Sequence, residues 1–412
     1  MRIGILTNYH LRKVGGAEAA IDRLATLWQR AGHEVLLISA PKGRGENRRP
    51  WKPTYERLDI PRPRSTRFWL GGYVTRIERA HRRRRLDILI ASDVYWPGHV
   101  ARLFWRKTGV PYVLWSHGSD VMHGSRFLKK PLIKKRMQKA IRDAHALACI
   151  SRYMRDRLHS LARPVGIERI IPNGWPDEWA TAGEPDRVVE GNYLFGMGRI
   201  VRLKGFQTLI EAYARLRPRH PDMGLIIAGT GDHRETLIAR ARSLDVPVTT
   251  ELPPAMGKIV GACFPGVVHG ETKRGLAGHA TLAVCPSIRQ EPMSLVLFEM
   301  LGCGVPVVAS HVGGTPDIVQ PGVNGDLFPA GDVDALTKRL DRLLTETPER
   351  EQLAARAAAS VAPYRWSRIA EAWLDFLQDV LHGKLTTNAV CARLPHHAGE
   401  LIGNERVKGS VI

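Results

Sequence analysis

The chain has 412 residues, 44% of them apolar and 25% charged, with a formal net charge of +21. That length calls for two or three domains, and that apolar share supports closed cores and excludes a disordered chain. No apolar run approaches the ~18 residues a membrane span needs, so a globular protein is expected. In chain order, MRIGILTNYH has too short an apolar core for a signal peptide and reads as a buried strand. A loop containing VGGAE and an amphipathic helix from about Ala17 to Ala31 follow it. HEVLLIS is the next buried strand, and residues 41–67, rich in Arg, Pro and Lys, are expected to form a loop. DILIAS (87–92), PYVLWSHG (111–118) and HALACIS (145–151) repeat the strand theme with helical stretches between them. Continuously apolar strands alternating with helices indicate a parallel sheet covered on both faces.

A break follows IPNGW (171–175), and the acidic stretch 176–191, with Pro and Gly, reads as a linker. The pattern then restarts with YLFGMGR (193–199), a helix from Gly205 to about Leu216, and GLIIAGTG (224–231). TLAVCPS (281–287), a helix over Glu291–Gly302 opened by Pro292, and PVVAS (306–310) complete a second α/β unit. WSRIAEAWLDFLQDVL sets Trp366, Ile369, Trp373, Leu374, Leu377, Val380 and Leu381 on one stripe at helical spacing. The expected organisation is an N-terminal domain over 1–175, the linker 176–191, a second domain over 192–365, a helix over 366–382 and a loose tail over 383–412. Ligands of open parallel sheets bind beyond the carboxyl ends of the strands, where GG, GMGR, GTGD and GCG cluster here. Two doubly wound domains facing across a cleft are therefore expected.

Charge and cysteines narrow the setting. Residues 1–175 hold 36 lysines and arginines against 13 acids, whereas 176–412 hold 25 against 27. A one-sided field of that kind points to an anionic partner for the first half. The helical stretch 131–147 puts Lys134, Lys135, Lys139 and Arg142 on one side and Leu132, Ile133, Met137 and Ile141 on another. With HRRRR (81–85), it suggests attraction to an anionic membrane surface. Cysteines 149, 263, 285, 303 and 391 are odd in number and lack a CxxC pair, which argues for a reducing cytoplasm.

The candidate chemistry lies in the second half. Arg199 and Lys204, in GRIVRLKG (198–205), can neutralise a diphosphate, the one with paired donors and the other as a point charge. Free backbone N–H groups of Ser294 and Leu295, near a helix start, would add an anion site. Glu299 lies too far along that helix to be a cap and can accept hydroxyls, as on a ribose; Glu291 can take hydroxyls of a sugar.

GMGRIVRLKGFQTLIEAYARL, IIAGTGD, AVCPSIRQEPMSLVLFEMLGCGVPVVAS and GGTPDIVQPGVNGDLF, in that order, resemble the C-terminal domain of the group 1 (family 4) glycosyltransferases. The match spans about residues 192–345, and the first half agrees more weakly through VGGAE, SHGSDV and IPNG. The resemblance implies the GT-B fold, two Rossmann-like domains with the active site between them, and a C-terminal helix that crosses back to the first. Glu291 and Glu299 match the family's E-x7-E motif. By that resemblance Arg199 and Lys204 hold the nucleotide diphosphate, Glu299 binds the ribose, and Glu291 contacts the donor sugar with backbone groups of Pro292, Met293, Ser294 and Leu295. His117 matches the active-site histidine of the opposite domain, and Gly15 and Gly16 the loop near the donor phosphates. Asp120 is a further candidate, for acceptor hydroxyls. Met293-Ser294 stands where the family often has Phe-Gly, and 248–266 is longer than usual near the nucleobase.

The implied reaction moves a sugar from a UDP-, GDP- or ADP-sugar to a glycan, lipid-linked or small-molecule hydroxyl acceptor, with retention, in cell-envelope polysaccharide or glycolipid assembly. No cofactor is required by this reading, and no DxD-type motif lies near the phosphate residues, so a divalent metal is not expected to be essential. A GT-B sugar-nucleotide epimerase shares the architecture, but E-x7-E with GRxxxxKG points away from it. A nucleic-acid-binding protein would explain the basic half, yet no recognition module is present.

Overall fold

A computed structural model of the chain describes residues 1–9, 11, 15–39, 52–60, 69–253 and 256–383. The first lobe runs β1 (Arg2–Thr7), α1 (Gly16–Arg30), β2 (Glu34–Ser39), β3 (Glu56–Asp59), α2 (Trp69–Arg83) and β4 (Ile88–Ala91). It continues through α3 (His99–Thr108), β5 (Tyr112–Ser116), α4 (Pro131–Arg142), β6 (Ala146–Cys149), α5 (Arg152–His159) and β7 (Ile167–Ile170). Its sheet is parallel, in the order β3-β2-β1-β4-β5-β6-β7. All six residues of β1 and all four of β4 are buried, as strands covered on both faces must be. The loop expected over 41–67 is wrong at one place. Residues 56–59 form the edge strand β3, because Tyr55 and Ile60 bury their side chains on either side of it. Residues 41–51 and 61–67 of that stretch lie outside the described residues.

The second lobe follows α6 (Asp177–Thr181) with β8 (Val189–Glu190), β9 (Asn192–Met197), α7 (Phe206–Leu216), β10 (Met223–Ala228), α8 (Arg234–Arg242) and β11 (Val248–Thr249). Next come β12 (Met256–Lys258), β13 (Ala262–Cys263), α9 (Gly270–Gly278), β14 (Leu282–Cys285), α10 (Leu295–Gly302) and β15 (Val307–Ser310). The chain then passes β16 (Gly325–Phe328), α11 (Val333–Thr345), α12 (Thr347–Val361) and α13 (Trp366–Leu381). The second sheet is also parallel, in the order β11-β13-β10-β9-β14-β15-β16. Residues 176–191, read as a linker, carry α6 and also β8, which pairs with β12 in a separate two-stranded sheet. The tail expected over 383–412 lies outside the described residues from 384 onward.

α13 returns to the first lobe. Trp28 of α1 donates Nε1–H to Ala370 O at 3.2 Å, and the Trp373 ring packs edge-on against Trp28 (5.9 Å) and Trp115 (5.1 Å). Arg169 of β7 pairs with Asp379 at 2.8 Å. The buried stripe is Trp366, Ile369, Ala370, Trp373, Phe376 and Leu377, so the expected apolar face is correct but Leu381 stays partly exposed. No described helix is long and apolar enough to cross a membrane. Trp373→Ala is expected to cost about 3–5 kcal/mol, the usual penalty for deleting a fully buried aromatic. Urea unfolding followed by tryptophan fluorescence measures it, and a loss under about 1 kcal/mol would show the helix is not a fastening.

Candidate active site

The loop 198–205 leaves the end of β9 and is tied to the loop after β10. Gly198 N–H donates to Ala228 O (3.0 Å) and Ile200 N–H to Thr230 O (2.8 Å). A one-turn 3-10 segment, Arg202–Lys204, ends at Gly205, whose φ of 70° starts α7. Only glycine fits there, since an added Cβ would stand 1.8 Å from Pro286 O at the end of β14. That contact brings Lys204 to Glu291: Nζ lies 2.5 Å from Oε1. Ser287, four residues upstream, donates its hydroxyl to Glu291 Oε2 at 2.8 Å. Burial acts to raise the Glu291 pKa, but Lys204 and the hydroxyls of Ser287 and Ser294 outweigh it and hold the carboxyl below its ordinary range.

The helix expected to start at Glu291 starts at Leu295 instead, with Ser294 as its extended N-cap. The reason is local. Glu291 O accepts Gly314 N–H at 2.9 Å, so residues 291–294 are held against the 313–314 turn rather than coiled. Ser294 makes no side-chain capping bond to its own helix. The first-turn N–H groups of α10 are thereby left without a side-chain cap, which suits an anion. Gly15 is the N-cap of α1, and Gly16 faces Leu295, so that a Cβ added to Gly16 would lie 3.5 Å from Leu295 Cδ1. Two helix N-termini, one from each lobe, thus meet across the cleft. Arg199 is exposed, and its guanidinium forms no ion pair among the described residues.

The lobes touch at the 291–294 turn. Ser151 caps α5 by accepting Met154 N–H (3.2 Å) and donates its own hydroxyl to Pro292 O (2.8 Å). Arg152 pairs with Asp317 at 2.9 Å and Tyr153 donates to Gln290 Oε1 at 3.0 Å. Gly118 (φ 96°) packs so tightly that a Cβ would lie 2.6 Å from Pro292 Cγ. His117 is the residue before Gly118. Its backbone N–H donates to Asp93 Oδ1 (3.3 Å), its ring meets Trp115 (4.4 Å) and Tyr9 (5.6 Å), and its Nε2 is buried without a partner among the described residues. Burial pushes its pKa down to about 3, so the imidazole is neutral near pH 7.

Beneath His117 lies an acidic floor of two buried carboxyls, of which sequence reasoning named Asp120, for acceptor hydroxyls, and missed Asp93. Asp93, two residues after β4, sits at φ 149° and Trp96 at φ 29°, conformations that cost energy outside glycine. Asp120 ties this turn down by accepting Tyr95 N–H at 2.5 Å, so it serves the turn through that oxygen. Burial, then the proximity of Asp120, raises Asp93 well above the carboxylate range; burial lifts Asp120 to about 6. Glu299 has a partner that sequence reasoning did not foresee: its Oε1 is engaged by Lys273 Nζ at 2.6 Å. Nothing in the spacing around Lys273 or Asp93 signalled these contacts, although Ser287 could have been suspected from its place at a strand end.

Comparison with known proteins fits this geometry. The profile of the Glycosyl transferase 4-like domain matches residues 15–174, and that of Glycosyl transferases group 1 matches 178–360. The chain belongs to the group 1 glycosyltransferases. This glycosyltransferase is 28% identical over 382 residues to the GDP-mannose-dependent alpha-(1-6)-phosphatidylinositol monomannoside mannosyltransferase of Mycolicibacterium smegmatis, covering 88% of this chain and 93% of that one. Among solved structures it resembles HepE of Anabaena in complex with UDP, with a TM-score of 0.73 and 19% identity over 92% of this chain and 100% of the other. Sucrose-phosphate synthase from Thermosynechococcus elongatus gives a TM-score of 0.72 at 19% identity, covering 93% and 99%. These likenesses show the GT-B fold of the glycosyltransferase.

The buried acids predict a pH effect. A carboxyl raised in the folded state binds more protons there than when unfolded, so wild-type stability falls as pH rises from about 4 through about 6. Asp120→Asn removes that loss and relieves Asp93, so the variant should gain on wild type between pH 5 and 8 by on the order of 2 kcal/mol. His117, depressed, contributes the opposite slope, but equally in both proteins. Urea titrations at those two pH values test this, and a pH-independent difference would contradict it.

Proposed function

We propose that the cleft transfers a sugar from a nucleotide-sugar donor to a hydroxyl acceptor with retention of anomeric configuration. The observation that carries this reading is Arg199, without an ion pair among the described residues, in the same loop as the Lys204–Glu291 pair, with uncapped helix N-termini converging nearby. Arg199 and Lys204 then hold the diphosphate, Glu299 the ribose, and Glu291 with the backbone of Pro292 to Leu295 the donor sugar. His117, neutral, offers a hydrogen bond to the sugar from the first lobe and does not act as a cation.

Glu291 is a poor nucleophile, because the Lys204 ammonium engages one of its oxygens and the Ser287 hydroxyl the other. A same-face displacement follows. The bond from the anomeric carbon to the phosphate oxygen breaks, the bond to the acceptor oxygen forms, and the acceptor proton passes to the departing phosphate. Negative charge grows on the phosphate, where Arg199, Lys204 and the N-terminus of α10 stabilise it. These groups supply the counter-charge that a divalent ion would otherwise bring, so activity is proposed to be metal-independent. The M. smegmatis relative supports a glycolipid or cell-envelope acceptor and makes GDP-mannose the first donor to try.

A cytoplasmic enzyme attracted to an anionic membrane is part of the same proposal. On α4, Met137, Ala140 and Ile141 are buried, so the helix packs on its own sheet and offers those residues to no lipid. Leu132, 63% exposed, projects beside the exposed Lys134 and Lys135. Attraction is then mainly electrostatic.

Two measurements test the proposal. In a thermal-shift panel of UDP-, GDP- and ADP-sugars, one class should raise the melting temperature, with and without chelator. Arg199→Ala should lower kcat/KM with that donor on the order of a hundredfold, whereas a shift seen only with added divalent ion would remove the metal-independent mechanism. In sedimentation with phosphatidylserine-containing vesicles, binding should fall steeply as salt rises; retention at high salt would refute electrostatic docking.

A further inference from the structure

Glu299 does not stand alone at the ribose end of the proposed donor site. Its Oε1 accepts a hydrogen bond from Lys273 Nζ at 2.6 Å, and the same ammonium lies 5.1 Å from the centroid of the Trp179 ring. Lys273 belongs to α9, Glu299 to α10 and Trp179 to α6, so three separate elements meet at one cation. The pair is enclosed: the lysine side chain is 21% exposed and the glutamate 14%. α9 itself is fastened at several points. Arg274 donates to Gly183 O, His279 Nε2 lies 2.7 Å from Pro185 O, and the Tyr193 hydroxyl donates to Leu276 O at 3.0 Å. Lys273 is therefore held in one place, unlike an ordinary surface lysine. An enclosed ion pair adds little net stability by itself, so stability is a weak reason for this one.

The chemistry of the pair suggests what it reads. An ammonium carries three donors and no acceptor. One donor is spent on Glu299 and one face rests on Trp179, which leaves a donor available. Glu299 keeps one oxygen without a hydrogen bond among the described residues. A donor beside an acceptor complements a vicinal diol, since one hydroxyl can donate to the carboxylate while its neighbour accepts from the ammonium. We propose that Lys273 is a specificity-determining residue that, together with Glu299 and steadied by Trp179, reads the 2′,3′-diol of the bound ribonucleotide. This rests on the donor reading above and adds that an ion pair, not a lone carboxylate, recognises the diol.

Titration calorimetry with UDP, GDP and ADP first identifies the nucleotide that binds, which is then compared with its 2′-deoxy and 3′-deoxy forms. Wild type should prefer the ribonucleotide over at least one deoxy form by roughly ten- to a hundredfold. Lys273→Met should weaken the ribonucleotide and shrink that preference by about tenfold, while Lys273→Arg keeps most of it. A ratio of affinities does not depend on the folded fraction, so a variant that folds poorly still decides the question. An unchanged ratio in Lys273→Met overturns the role of Lys273 and leaves the donor reading standing. Failure of wild type to bind any of the three nucleotides removes the donor reading, and this inference with it.

Discussion

The contact between Lys204 and Glu291 joins residues 87 positions apart and organises the cleft. A largely enclosed carboxylate without a counter-ion is unfavourable, so Glu291, 20% exposed, gains from the cation and Lys204 must be delivered to it. Delivery depends on backbone geometry. Gly205, lying against Pro286 O, sets the end of the 198–205 loop beside the end of β14. With Lys204 turned inward to Glu291, Arg199 stays exposed and without an ion pair among the described residues. One cation neutralises the site's own acid, and the other keeps its charge exposed.

The same turn of chain also receives the first lobe. Ser151 bonds Pro292 O, Gly118 packs on the Pro292 ring, and Gly16 faces Leu295. The turn is thus fixed by residues from both lobes, and its own Ser294 makes no side-chain cap to α10. An uncapped helix end costs stability of about 1 kcal/mol. Leaving that cost in place is understandable where a ligand's negative charge supplies the missing partner.

Charge in the molecule has two scales. The first lobe is basic over its surface, yet directly under His117 it buries two carboxyls, Asp93 and Asp120. The outer field acts over a Debye length on anions approaching in solution. The buried acids act over a few ångströms: Asp120 holds the strained turn at 93–98 by accepting Tyr95 N–H, and Asp93 accepts the His117 N–H. The composition of the lobe reports only the first of these.

The paired α/β lobes, the returning C-terminal helix and the grouping of Arg199, Lys204, Glu291 and Glu299 in one lobe were legible in the residue order. Buried parallel strands write themselves as short apolar runs, and glycine loops mark their carboxyl ends, so both are local signals. Edge strand β3 was not legible, because ERLD is polar and owes its place to pairing with β2 and to Tyr55 and Ile60. Nor was the start of α10, because Pro292 suits a first helical turn and hydrogen bonds from the distant Gly314 and Ser151 hold the chain out of one. The partners of the acids, Lys273 for Glu299 and Asp120 beside Asp93, were decided by tertiary structure alone. Sequence determines which charged groups exist and which element carries each; which of them meet depends on how distant elements pack, and a side-chain contact of a few ångströms leaves no periodic trace in the chain.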